Sequence, residues 1–363
     1  MQSYINKKIV LLTCVALILF LCGLAGAATV TWTGGGSDND VSTAANWSGN
    51  EAPQDGDNVV FNSTAIDCIW DLNVTLASFT ILSGYTGNVA IESSTTLIIA
   101  KVKTWTGLGS DNKASTSENW SGNQVPQSGD KVVFDDTSAK NASWDLPDIT
   151  PGLLTVSSGY SGEIALSNPV SIAGNLTVSG GIFDLNNKDL NVDGNILIAS
   201  GGIINATSST ITLKGDWRNF GIFIPGTSIV VLEGANRIIY GDTTFYNLVK
   251  TVTSADTLYF EAGSTQTIIN NLTLQGSVDN LLSLRSTVDD SYWYIGTQGP
   301  RNILYVNMKD SYNLGSTVTI ILDSIDVGNN INMYFGEDCV CIPLPGILSN
   351  SIFQMKIEGL NET

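Results

Sequence analysis

The chain has 363 residues, no histidine and 14% charged residues, with 34 acids against 16 basic side chains for a net charge of −18. Without histidine there is no Ser-His or Cys-His nucleophile pair and no imidazole general base. The acidic surplus argues against nucleic acid and anionic lipid as partners and favours solubility or divalent cations.

Lys7 and Lys8 precede an apolar run from Ile9 to Leu21, and small residues follow up to Ala25-Gly26-Ala27. Residues 1–27 read as a secretory signal peptide cut before Ala28. The run is too short for a membrane anchor, and Leu21 ahead of Cys22 breaks the lipoprotein pattern. The expectation is a secreted or cell-surface protein with no membrane span in the mature chain. Removing the leader takes two lysines and no acids, so the mature charge is 14 − 34 = −20. Cys68, Cys339 and Cys341 remain, an odd number that excludes a fully paired framework and leaves a bridge from Cys68 to either of the others open.

Two copies of one cassette come next, expected to form Trp-rich β repeats over 28–100 and 101–167. "TWTGGGSDNDVSTAANWSGNEAPQDGDNVVF" from Thr31 returns from Thr104 as "TWTGLGSDNKASTSENWSGNQVPQSGDKVVF", with 22 of 31 positions identical. Trp32, Trp47 and Trp70 recur as Trp105, Trp120 and Trp144, the last pair slipped by one residue. Gly56-Asp57 recurs as Gly129-Asp130, each ahead of a β-branched run, and "SGYTGNVAI" from Ser83 answers "SGYSGEIAL" from Ser158.

From about residue 168 to 311 a shorter step takes over. "GNLTVSGGIF" from Gly174, "GNILIASGGII" from Gly194 and "GDWRNFGIF" from Gly215 lie 20 and 21 residues apart, with "VSI", "LNV", "ITL" and "VVL" between them. Short alternating strands with Gly or Asn at the corners, repeated at this step, predict stacked β-coils sharing one core. The fold class expected is all-β, a right-handed parallel β-helix or β-solenoid preceded by two duplicated Trp-rich β modules. The period fades near Ser311, and 312–363, with "CIPLPGIL", reads as an irregular coil or cap.

The pattern Trp-Thr-Gly, Asn-Trp-Ser-Gly, then Gly-Asp before Val-Val-Phe resembles the N-terminal module of large secreted or surface β-helix proteins of prokaryotes. These include proteins with autotransporter-associated strand repeats. The resemblance implies an envelope-associated, adhesive or structural role, and it leaves the activity open, since such modules also occur on carbohydrate-active enzymes. No recognisable membrane barrel follows the coils, which departs from autotransporters.

A solenoid exposes strand edges and an apolar cross-section at its ends. The cassette is therefore expected to start or cap a coil stack, with buried tryptophans. The alternative is that exposed tryptophans form stacking platforms for sugar rings. Chemical candidates are few. Asp289-Asp290 could supply an acid pair near Tyr292, Trp293 and Tyr294, with Arg285 and Arg301 nearby for an acidic sugar, although a solvated turn before a core aromatic is the simpler reading. "SDND" from Ser37 looks like the start of a calcium loop, but Lys113 replaces Asp40 in the second copy. Asp57 and Asp130 fit turn positions, and "DLNNKDLNVDGN" from Asp184 lacks calcium-loop spacing. Asn46, Asn119, Asn175 and Asn271 stand in Asn-x-Ser/Thr sequons. No catalytic residue, cofactor or metal ligand is assigned. Surface glycans or envelope components are the expected partners, with a carbohydrate-active lyase, hydrolase or binding module as the second reading.

Overall fold

A computed structural model describes residues 28–315 and 319–336. The leader 1–27, the stretch "CIPLPGIL" and the cysteines at 339 and 341 lie outside the described residues. Within them the chain is all-β, a parallel solenoid of about 13 turns.

The coils form two separate ladders. In the first, strands Thr29–Thr31, Asn58–Phe61 and Ser78–Ile81 pair in parallel, as do Cys68–Trp70 with Val89–Ile91 and Val74–Leu76 with Leu97–Ile99. These strands enclose their own core, which includes Trp32, Trp47, Phe61 and Trp70. No strand of this set pairs with the next. The second ladder begins at Val102–Thr104, so the second cassette supplies the opening coils of a longer stack with a second core.

That longer stack has three faces. One carries eleven parallel strands, from Val102–Thr104 through Leu176–Val178 to Ile325–Asp326. Another carries five, from Ala142–Trp144 to Ile222–Ile224. The third runs from Val170–Ile172 through the long strands Thr243–Thr251 and Thr265–Gln275 to Met333–Gly336, with Trp293–Thr297 and Ser311–Asn313 branching from it. Strand pairing therefore continues past Ser311, where the twenty-residue step fades in the sequence, and reaches Gly336.

Alternation in the strands produces the core directly. Leu154, Leu176, Ile196, Trp217, Ile239 and Phe260 follow one another in register down one face, and each is at most 1% exposed. Each such aliphatic side chain contributes about 1.5–3 kcal/mol by leaving water. One coil alone would have nothing to bury these groups against.

The Gly-Asn pairs mark the corner where coils approach most closely. A β-carbon on Gly174 would stand 2.4 Å from the carbonyl oxygen of Gly152, and one on Gly215 would stand 2.1 Å from that of Gly194. The next residue binds the coils together: Asn175 Oδ1 accepts the Asn195 N–H and Asn195 Oδ1 accepts that of Asp216, both at 2.7 Å. Each side chain supplies an acceptor to a backbone donor about one coil further on, where the corner interrupts the strand ladder.

The last coil of the first stack is open. Ile81, Ile91 and Ile99 are in register with the buried Phe61, Trp70 and Leu76, yet they are 52%, 54% and 44% exposed. Their counterparts in the second stack, Val156, Leu166 and Ile172, are buried because a further coil lies over them.

Candidate functional site

The six cassette tryptophans are at most 2% exposed. Trp32 meets Trp47 edge to face at 5.1 Å between ring centroids, and Trp105 meets Trp120 the same way at 5.2 Å. Trp47 and Trp70, and Trp120 and Trp144, extend each cluster at 6.4 and 6.3 Å. The indole N–H groups donate inward: Trp47 to the Val41 carbonyl at 2.8 Å, Trp120 to that of Ala114 at 2.7 Å, Trp70 to that of Leu72 at 2.7 Å. Trp144, shifted by one residue, has no such acceptor for its Nε1. The tryptophans are buried as expected, and the alternative of exposed platforms is overturned: with the rings turned into the core, no face is left for a sugar.

The "SDND" loop is held by an asparagine. Asn46 Oδ1 accepts the Gly36 N–H at 2.8 Å, while Asn46 Nδ2 donates to the Asp40 and Asp38 carbonyls at 2.9 and 3.1 Å. Asp38 accepts from Thr43 Oγ1 at 3.1 Å and from the Asp40 N–H at 3.2 Å. Asn119, Asp111 and Thr116 repeat the arrangement, with Lys113 in place of Asp40 and no change in the bonds. Among the sequon asparagines, Asn46 and Asn119 are fully buried. In the second cassette the Lys140 ammonium also donates to the Gly107 and Gly109 carbonyls at 2.9 and 2.8 Å.

Asp57 and Asp130 are buried turn clamps. The oxygens of Asp57 accept the Ala28 and Gln54 N–H groups, both at 2.9 Å, and those of Asp130 accept the Lys101 and Gln127 N–H groups at the same distance. A depression of about 470 Å³ opens beside Asp130, lined also by Ile99, Lys101, Lys103, Gln124 and Gln127. Both oxygens of its carboxylate are already engaged by backbone.

The acid pair occupies a turn rather than a strand. Asp289 and Asp290 are exposed, and both bind the Lys309 ammonium, Asp290 at 2.9 Å; these hydrogen bonds, Asp289's first, raise the lysine above its usual range. Asp310 completes a group of three carboxylates, but its oxygens accept the Asp290 N–H and Asn329 Nδ2. The sequence placed these acids beside aromatics, and the structure does the same. Trp293 is buried and stacks on Phe260 at 4.0 Å, whereas Tyr292 and Tyr294 face outward, half-buried.

Tyr312 joins them from the following coil. Its ring lies 5.5 Å from that of Tyr294, its partner in strand register, and 5.7 Å from that of Tyr292. Sequence reasoning missed this residue. The signal was faint: "SYW" at Ser291 and "SYN" at Ser311 stand one coil apart. Arg285 is drawn into the wall by hydrogen bonds to the Leu284 carbonyl and to Asn307, and burial lowers it below its ordinary value. Arg301 lies on the third face, across from the strand of Arg285, and bonds Thr319 Oγ1 at 2.7 Å. Of the two, Arg285 lies close enough to Asp310 and Asp289 for their charges to act on it.

No protein-family model, curated protein or solved structure matches the chain. No helix among the described residues is long and apolar enough to cross a membrane.

Proposed function

We propose that the chain is exported and works at or beyond the cell surface as a structural and adhesive β-solenoid, without catalysis, contacting glycan through its outer wall. The observation that carries this reading is the tyrosine face: Tyr292, Tyr294 and Tyr312 present clustered phenol rings on adjacent coils. Such rings offer CH–π surface to a pyranose and a hydroxyl to its edge. Asp289, Asp290 and Lys309 border them with polar groups suited to sugar hydroxyls.

Hydrolysis of a glycoside asks for two carboxylates flanking the bond, one of them able to hold a proton. Asp289 and Asp290 instead share one ammonium on an open turn, which supports binding over turnover. The acidic surface likewise supports partners other than nucleic acid.

The test is a glycan array with the exported protein and its Tyr294→Ala and Tyr312→Ala variants. The expected result is binding to a neutral glycan that falls at least tenfold in both variants while the melting temperature holds. Binding that ignores both substitutions, or no binding at all, refutes the tyrosine face. Turnover of any glycan refutes the non-catalytic role.

A further inference from the structure

Residues 28–100 contain eight acids, Asp38, Asp40, Glu51, Asp55, Asp57, Asp67, Asp71 and Glu92, and not one lysine, arginine or histidine. The second cassette, over 101–167, has five lysines. Asp57 is the most enclosed acid of the first group at 8% exposed, and it forms no ion pair among the described residues. Its Oδ1 lies 2.9 Å from the backbone nitrogen of Ala28. The Ala28 carbonyl accepts the Asn58 N–H at 2.7 Å, so this residue is held from both sides at the very start of the ladder. Ala28 is also the residue that follows Ala25-Gly26-Ala27.

We propose that Asp57 is the seat of the mature N-terminus: a leader peptidase cuts between Ala27 and Ala28, and the new α-ammonium pairs with the Asp57 carboxylate, closing the first stack. Hydrolysis consumes one water and leaves a carboxylate on Ala27 and an ammonium on Ala28. The proposal rests on the export reading above. Asp130 is the internal control: it holds the Lys101 nitrogen with the same geometry, but there the chain continues upstream and the donor is a neutral amide. Processing thus gives the all-acidic stack its only cation, placed against its most buried carboxylate.

The stack is well suited to a titration. Burial pushes the Cys68 thiol and the Tyr85 phenol each up to about 12, and its other ionisable side chains are the eight carboxylates. Between pH 7 and 10 the α-ammonium is therefore the group of the folded stack that changes charge, and the ionisation of Cys68 in the unfolded chain is common to wild type and Asp57→Asn and cancels between them. Pairing raises its pKa above the ordinary value of about 8, so its stabilisation is full below that pH and is lost as pH rises through the raised value.

The experiment uses the exported protein. N-terminal sequencing should begin at Ala28; a retained leader rejects export itself, and cleavage at another bond rejects this proposal alone. The melting temperature of the wild type should then fall between pH 7 and 10 relative to Asp57→Asn, while Asp130→Asn falls in parallel with the wild type. A constant gap between wild type and Asp57→Asn overturns the ion pair. If Asp57→Asn does not fold, the pH dependence of α-amine acetylation in the wild type decides, with a midpoint above 8 expected and one at or below 8 overturning the pair.

Discussion

Lys250 Nζ lies 2.6 Å from Asp256 Oδ2 in the interior of the coils, with the two side chains 0% and 4% exposed. Lys250 occupies an inward position, in register with Leu274 of the next coil, and its ammonium also donates to the Gly234 carbonyl at 2.8 Å. Asp256 accepts the Asn236 N–H at 2.7 Å. A buried ion pair of this kind adds little net stability over an apolar pair, but removing one partner strands the other charge. Asp256→Ala should cost about 3–5 kcal/mol, and Lys250→Met added to Asp256→Asn should recover much of that loss. Chemical denaturation of the two variants checks both values.

The cassette tryptophans give a second expectation. Trp120→Ala removes a ring packed on Trp105, Phe134 and Trp144 at the start of the long stack, and should cost about 3–5 kcal/mol. Thermal melting measures the loss. An unchanged melt would show that the ring is not part of the core that starts the stack.

Cys68 yields a third. Its thiol is 1% exposed and pushed up to about 12 by burial first and then by Asp71 and Asp40. At pH 8 its thiolate is scarcer than that of a free cysteine by roughly three orders of magnitude, so native Cys68 should alkylate at least that much more slowly. Unfolding should restore ordinary reactivity, read by peptide mass spectrometry at that residue. Because the folded value is the higher one, the thiol's contribution to stability is complete below about pH 8.5 and declines from there towards 12.

Much of the architecture was legible because one coil imposes the same demands on every other. Gly174, Gly194 and Gly215 recur because each leaves room for a neighbouring carbonyl, and Asn175 and Asn195 recur because each binds the next corner. The two-stack division was not legible. A sequence repeat of 73 residues does not say whether the second copy pairs its strands with the first; the strand pairing and the exposure of Ile81, Ile91 and Ile99 reveal the gap. The turn reading of Asp57 and Asp130 matched their bonds to backbone. Tyr292 and Tyr294 were visible beside the acids, but Tyr312 stayed hidden because it lies past the point where the regular step fades, and Lys250 was unreadable because nothing near it in sequence marks an inward lysine.

The gap between the stacks sets how the molecule fails under load. In a solenoid, cooperativity passes only from a coil to its neighbour, and the hydrogen-bond ladder that ends at Ile81, Ile91 and Ile99 does not continue into Val102–Thr104. A crack opened at the N-terminal end has no rung on which to cross. The first stack, with a core of its own, is therefore expected to yield as a fuse, before and apart from the long stack.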